Sequence, residues 1–388
     1  MKKKIFSAVA ALLCFSLTFT GCGGNTSNQQ KNPATNTNTE KDATQSKLDV
    51  LRPTAYSSVD GLTLEPGSYI SIIGRYSGDS YWKEVEAGAK QAVADLNTAL
   101  GYKGDNKIKL TYSAPATRDD VNEQVNILDE ELARYPIAIG IATIDTTACS
   151  IQFDSAAENG TQIITFDSGS DYQNVGAHVS TDNLAATKTA AAQLAYAIEE
   201  NGEIAVFVQD SVSMTAKQRL QGFLDTIASD FPNVSVVSVY HMDELETMRA
   251  TIVAEKNAAL AEGEEALVPE SISQEDVVEY ILEKNPNLKG IYATNLDTTQ
   301  LVAGVLTELE RTDLTFVGFD GGTEQIALLE SGMLDGLIIQ NPFAMGYATV
   351  IAAARVALGL GNESFVDSGY TWVTQENMNT KEIKKMLY

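Results

Sequence analysis

The chain has 388 residues, of which 44% are hydrophobic, enough to build substantial cores. Its 52 acidic residues against 27 basic ones leave a net charge of −25. So acidic a chain offers no basic footprint for a nucleic-acid partner and instead describes a self-repelling, soluble exterior.

The N-terminus sets an expected compartment. Lys2, Lys3 and Lys4 precede an apolar run from Ile5 to Phe19, too short and too rich in small residues for a stable membrane span. The run ends in SLTFTGC, which resembles the lipobox of bacterial lipoproteins, with Gly21 before a lipid-modified Cys22 and Phe19 where leucine is usual. Residues 1–21 are therefore expected to be a lipoprotein signal peptide, the alternative being an ordinary secretory signal cut elsewhere; either way the protein is exported. Their loss removes three lysines and no acid, taking the charge from −25 to −28. Residues 23–50 are rich in Asn, Thr, Gln, Ser and Gly and cannot bury a core; as a flexible chain they reach roughly 30 Å. The lipidated cysteine and its tether are assigned to 22–67. Cys149 is left alone in the mature chain, so no internal disulfide forms, and it reads as a small buried apolar residue.

From Ser68 the pattern is apolar strand, polar loop, amphipathic helix, repeated. The expected strands are YISIIG (69–74), IKLTY (108–112), IAIGIA (137–142), QIITF (162–166), EIAVFV (203–208), VSVVSVY (234–240), GIYAT (290–294), TFVGF (315–319) and GLIIQ (336–340). Most are continuous apolar runs, the mark of strands buried on both faces of a parallel sheet. Between them the 3.6-residue period holds: Trp82, Val85, Ala89, Ala92, Val93 and Leu96 share one helix face, and Val121, Val125, Leu128 and Leu132 another. Such alternation means α/β units with right-handed crossovers, and about 320 residues are more than one core organises, so two lobes are expected. Residues 253–274, acidic and Ala-rich, break the rhythm and read as a solvated excursion before a helix near Glu275.

Ligands of open parallel sheets bind beyond the carboxyl ends of the strands. Those ends carry Arg75, Thr143, Asp167, Asp210, Asn295, Asp320 and Gln340, a succession of short hydrogen-bonding side chains suited to a cleft wall. At the first strand–helix turn, Tyr81 and Trp82 are placed to stack on a sugar's C–H face or simply to pack at the helix start. Enzyme readings lack their motifs. GFDGGT is not G-x-G-x-x-G, no P-loop is present, no G-x-S-x-G elbow occurs, and His178 and His241 have no sequence neighbour for a triad or metal site. Asp320, before a helix N-terminus, repels the anion that would dock there. Ionised aspartate and the amides of Asn and Gln suit a neutral, hydroxyl-rich ligand. Neither a catalytic residue nor a cofactor or metal is expected.

In their order and strand context, SGDSYWKEVEAGAKQA, IITFDS, HVSTDN, AKQRLQGF, IYATN, FVGFDGG and GLIIQNP resemble the periplasmic sugar-binding proteins of the ribose-binding type, the ligand receptors of ABC importers, from Tyr69 to about Thr374. The resemblance implies a type I periplasmic binding protein: two Rossmann-like α/β lobes with parallel sheets flanked by helices, joined by a three-crossing hinge. Lobe boundaries of 68–177 plus 342–368 and 178–341 plus 369–388 follow. It implies ligand contacts at Asp79, Tyr81, Trp82 and Asp167 from the first lobe, and at Met242, Asn295, Asp320 and Gln340 from the second lobe and hinge. The family's sugar-reaching arginine aligns with Lys217, with Arg219 two residues on; Ser168 stands where an arginine is frequent; and Met242 stands where an aromatic clamp is usual, with Tyr240 or His241 as substitutes. A sugar or related polyol of different hydroxyl geometry from ribose is therefore expected, with a larger ligand as an open option, since Lys does not replace a bidentate Arg. The implied role is a monomeric, lipid-anchored receptor on the outer face of the cell membrane that feeds ABC permease subunits. The alternative is a sensory lipoprotein signalling to a histidine kinase or chemoreceptor. The lac-repressor-like regulators share this body but begin with a helix-turn-helix, where this chain has a signal and tether.

Overall fold

The computed structural model describes residues 44–261 and 263–388. The apolar runs form strands β1 (Tyr69–Ile73), β2 (Lys109–Ser113), β3 (Ala138–Ile141) and β4 (Gln162–Phe166), which β5 (His178–Ser180) extends. A second set follows: β6 (Gly202–Val208), β7 (Val234–His241), β8 (Leu288–Ala293), β9 (Thr315–Phe319) and β10 (Gly336–Gln340), with two short strands, β11 (Phe365–Asp367) and β12 (Tyr370–Val373), near the end of the chain. They make two six-stranded sheets, ordered β11-β5-β4-β3-β1-β2 and β12-β10-β9-β8-β6-β7. Every ladder is parallel except β12 against β10.

Both sheets thus repeat one doubly wound order, second-first-third-fourth-fifth, in which the switch point beside the first strand opens a crevice at the strand ends. Continuous apolar strands occur because helices cover both faces: Ile70, Ile72, Ile139, Ile164, Ile291 and Phe316 are fully buried. The edge strand β7 alternates instead and leaves Val237 and Val239 partly exposed.

In the first lobe, helix Ser80–Leu100 starts on Asp79, whose side chain accepts from Trp82 N–H, and stops at Gly101 in the left-handed region (φ 69°). Its Val85–Leu96 face packs against helix Pro342–Ala357. The two backbones touch: a Cβ on Gly88 would lie 1.9 Å from Phe343 O, and one on Gly346 2.0 Å from Val85 O. Only glycine permits that approach.

The chain crosses between lobes at Thr181–Asp182, at Asn341 and at Ser368–Gly369, giving the three-crossing hinge. The crossings are stitched together. Ser368 N–H donates to Ser180 O (2.9 Å), and Thr181 Oγ1 donates to Gln340 Oε1 (3.0 Å). Because β5 pairs with β4 and β11, the first crossing falls after Ser180; residues 178–180 sit in the first sheet, where the sequence boundary gave them to the second lobe.

The packed body begins earlier than expected. Residues 1–43, including the signal region and Cys22, lie outside the described residues. Within the expected tether 22–67, however, Leu48, Leu51, Tyr56, Leu62 and Leu64 are buried in the first-lobe core. Arg52 bridges to Asp367, and Lys47 O accepts from Asn341 Nδ2 at 2.7 Å. Burial of several large apolar side chains, each worth about 1.5–3 kcal/mol, overrides the polar composition. The 253–274 segment is a surface excursion: helix Leu245–Ala258 ends, mostly exposed residues follow, and helix Gln274–Lys284 resumes. The Asn257 side chain closes it with two hydrogen bonds to the Leu267 backbone (2.9 and 2.8 Å). No helix among the described residues is long and apolar enough to cross a membrane.

Candidate functional site

A cavity of about 410 Å³ opens between the carboxyl ends of the two sheets, within the size range of small-molecule sites. Of the nine residues expected at the site, Asp79, Tyr81, Trp82, Asp167, Met242, Asn295, Asp320 and Gln340 line it; Lys217 does not.

The first-lobe side chains come from the turns after β1 and β4. Tyr81 donates its hydroxyl to Asp167 Oδ1 at 2.6 Å, and its ring meets Trp82 edge-on at 5.1 Å. Trp82 packs in the first-lobe core and also borders the cavity. Asp79 is committed to the protein: Oδ1 caps the helix and Oδ2 pairs with Arg118 at 3.1 Å. Asp167 follows β4 with φ 53°, a left-handed conformation that aspartate tolerates better than most residues. Its Oδ2 carries no hydrogen bond from protein among the described residues.

The second lobe repeats the plan. Asp320, after β9, is also left-handed (φ 77°). Its Oδ1 accepts from Gln340 Nε2 (2.7 Å) and Tyr388 Oη–H (3.2 Å), and its Oδ2 from Leu296 N–H (2.9 Å). Asn295 caps the helix Leu296–Glu308 through Thr298 N–H, and its Nδ2 donates to Asp297 at 3.2 Å. Met242 borders the cavity and packs on the second-lobe core, and Gln274 holds its carbonyl at 2.9 Å. Gln340 passes contact from the hinge to the cleft, accepting from Thr181 and donating to Asp320.

The cavity cation on the helix that carries Lys217 is Arg219, whereas the resemblance implies Lys217. Arg219 is buried, its Cζ 3.8 Å from the centroid of the Phe319 ring, and it donates from Nε to Asn183 Oδ1 (2.9 Å) and from Nη1 to Thr294 O (2.8 Å). Two positions along a helix turn a side chain by more than half the circle, so Lys217 and Arg219 cannot share that face. The spacing Ala216, Arg219, Phe223, Ile227, all buried on one stripe, is the signal that selects the arginine.

Sequence reasoning passed over Tyr76, Arg118 and Asp297. Arg118 lies on the loop after β2, whose end was not read as part of the cleft. Its guanidinium covers the Tyr76 ring at 4.3 Å and pairs with Asp297 across the lobes at 3.1 Å. Arg75, one of the strand-end residues, makes the second interlobe pair, 3.3 Å from Asp210.

Seven aspartates and three arginines line the cavity, so its field disfavours anions. Burial raises Asp167 and Asp320 above the usual carboxylate range, while Arg219 and the hydrogen bonds from Tyr81 and Gln340 respectively oppose that rise. Among the described residues, no group of three or more His, Cys, Asp or Glu side chains is arranged to hold a metal.

This architecture, two doubly wound lobes around a polar crevice, is that of a type I solute receptor. A model of the periplasmic binding protein domain matches residues 70–361, three quarters of the chain, and the protein belongs to that family. The ribose import binding protein of Haemophilus influenzae is 22% identical over 51% of this chain and 58% of its own length. The D-apiose import binding protein of Paraburkholderia graminis is 25% identical over 68% of this chain and 72% of its own. A carbohydrate transporter solute binding protein of Agrobacterium radiobacter, solved in complex with D-arabinose, superposes with a TM-score of 0.68 at 28% identity, covering 83% of this chain and 99% of that one. The resemblance to sugar-binding proteins carried by the motifs is thereby upheld.

Proposed function

We propose that this protein is an extracytoplasmic receptor, anchored by lipid on Cys22, that captures a neutral monosaccharide or related polyol between its lobes and delivers it to an ABC importer. The observation that carries the reading is Asp167: a buried carboxylate at the cavity wall, oriented by Tyr81 and with Oδ2 free of protein donors among the described residues. An ionised carboxylate in that position accepts ligand hydroxyls with charge-assisted hydrogen bonds. Asp320, Asn295, Gln340, Trp82, Tyr81 and Met242 complete the contact set, Asp79, held by Trp82 N–H and Arg118, supports that wall, and Arg219 takes the cationic role that the resemblance gives to Lys217. The relatives support a single sugar ring: their names record ribose and apiose import and a bound D-arabinose, and a 410 Å³ cavity is at the small end of ligand sites. Closure brings Arg118 and Asp297 together across the cleft, and a ligand that touches both lobes favours that state by its differential affinity.

The test is titration calorimetry of the purified receptor against pentoses, hexoses, polyols and disaccharides. Saturable one-to-one binding of a monosaccharide or polyol is expected; a flat panel, or turnover of any sugar, overturns the reading.

A further inference from the structure

Tyr388 is 68 positions from Asp320 in sequence, yet it sits directly behind the cleft. Its hydroxyl donates to Asp320 Oδ1 (3.2 Å) and accepts from Gly321 N–H (3.0 Å), and its own N–H donates to Gly321 O (3.3 Å). The ring meets Tyr81 edge-on, centroids 5.6 Å apart at 74°, and packs against the first-lobe core. One aromatic side chain therefore touches the second-lobe acid through its hydroxyl and the first-lobe acid through Tyr81, which donates to Asp167. Burial, with Asp320 beside it, pushes the Tyr388 hydroxyl well above its ordinary pKa and keeps it a donor.

The two acids differ as a result. A carboxylate offers roughly four acceptor positions. Asp320 has three protein donors, from Gln340, Tyr388 and Leu296, with both positions of Oδ1 taken. Asp167 has one, from Tyr81, and an open Oδ2. We infer, resting on the sugar-receptor reading above, that Tyr388 is a positioning residue that sets ligand specificity: by filling Oδ1 of Asp320 and fixing that side chain's orientation, it leaves a ligand hydroxyl access to Oδ2 alone. A sugar must then present one hydroxyl configuration to the second lobe, whereas Asp167 accepts from several directions.

The experiment compares wild type with Tyr388→Phe and Tyr388→Leu by calorimetry against a panel of epimeric pentoses and hexoses, with thermal melts to establish folding. Tyr388→Phe keeps the ring and removes the donor. It is expected to narrow the affinity ratio between the best-bound sugar and its epimers by about tenfold, the scale of one charge-assisted hydrogen bond. A role confined to stability would lower all affinities together and leave the ratios alone. Tyr388→Leu also removes the edge contact with Tyr81 and should narrow the ratios at least as far; if it fails to fold, Tyr388→Phe decides. A folded Tyr388→Phe protein that keeps the wild-type epimer ratios overturns the inference while the sugar reading stands. A wild-type protein that binds nothing on the panel overturns the sugar reading, and this inference with it.

Discussion

Arg118 ties the two lobes together: one guanidinium nitrogen lies 3.1 Å from Asp79 in the first lobe, and another 3.1 Å from Asp297 in the second. Because Asp79 also caps the helix that carries Tyr81 and Trp82, the bridge connects the first-lobe wall of the cavity to the start of the second-lobe helix Leu296–Glu308. The structure is thus closed across its rim by charge, in parallel with Arg75 and Asp210.

Arg118→Ala should therefore loosen closure. Arg118 is 35% exposed, so the bridge is worth only about 1 kcal/mol after screening. A larger radius of gyration in solution scattering of the ligand-free protein is expected, together with a severalfold loss of affinity. High salt should move wild type toward the same state; a variant with the wild-type scattering profile would show that other contacts hold the lobes.

Replacing Asp320 attacks both fold and cleft. Asp320→Ala removes the acceptor for Gln340 Nε2, Leu296 N–H and Tyr388 Oη–H, at a cost of about 2–4 kcal/mol, and forces alanine into a left-handed conformation. Asp320→Gly relieves the second effect and keeps the first. Both should lose ligand affinity by about a hundredfold, read by calorimetry, with Asp320→Gly melting higher than Asp320→Ala. Equal melting temperatures would remove backbone strain from the account.

Ligand affinity should fall with acidity earlier than for an ordinary aspartate site. In the proposed reading, ligand hydroxyls that donate to Asp167 and Asp320 favour the ionised forms, and burial raises both groups. Binding is then full where both are ionised and is lost as pH falls through their raised values, starting above the ordinary carboxylate value of about 3.9. Calorimetry from about pH 7.5 downward is the measurement; an affinity that holds until the ordinary carboxylate value is reached contradicts it.

His178, on β5 at the hinge, is held neutral: burial lowers its pKa from 6.5 to about 4, although Thr165 opposes the shift. Its Nε2 is buried without a hydrogen-bond partner among the described residues. The unfolded chain takes up this proton below pH 6.5 and the folded one only near 4, so the contribution is complete above 6.5 and declines at up to about 1.4 kcal/mol per pH unit below it. His178→Gln should flatten the fall in melting temperature between pH 7 and 5. An equally steep fall in the variant would assign the acid sensitivity to other groups.

Gly88→Ala should destabilise the first lobe by about 2–4 kcal/mol, because the added Cβ would meet Phe343 O at 1.9 Å. Denaturant unfolding would register the loss. An unperturbed midpoint would mean that the two helices can part without cost.

Much of the fold was legible because most of the nine expected strands are apolar runs whose burial is decided locally, the edge strands β2 and β7 excepted. The three that escaped notice, His178–Ser180, Phe365–Asp367 and Tyr370–Val373, are three or four residues long and belong to the crossings, where pairing is set by distant chain. The packed segment around Leu48, Leu51 and Tyr56 escaped for a similar reason: its apolar residues follow no period, and the surface that receives them is built by residues after 70. Within the candidate site, the rule that ligands gather at strand ends located Asp167, Asn295, Asp320 and Gln340. It had no means of reaching Tyr388, joined to Asp320 across 68 positions. Lys217 was chosen by alignment, whereas the buried stripe of its own helix points to Arg219.

The paired left-handed aspartates have a practical consequence. Asn and Gly share with Asp the ability to occupy that backbone conformation, so either position admits new chemistry without rebuilding the loop. The two are unequal targets. An amide at 320 would set its nitrogen or its weaker oxygen against three existing donors, whereas an amide at 167 can keep its oxygen on Tyr81 and turn its nitrogen to the open side. Position 167 is therefore the place to begin when converting this receptor into a sensor for a different analyte, one that offers an acceptor where the proposed sugar would offer a donor.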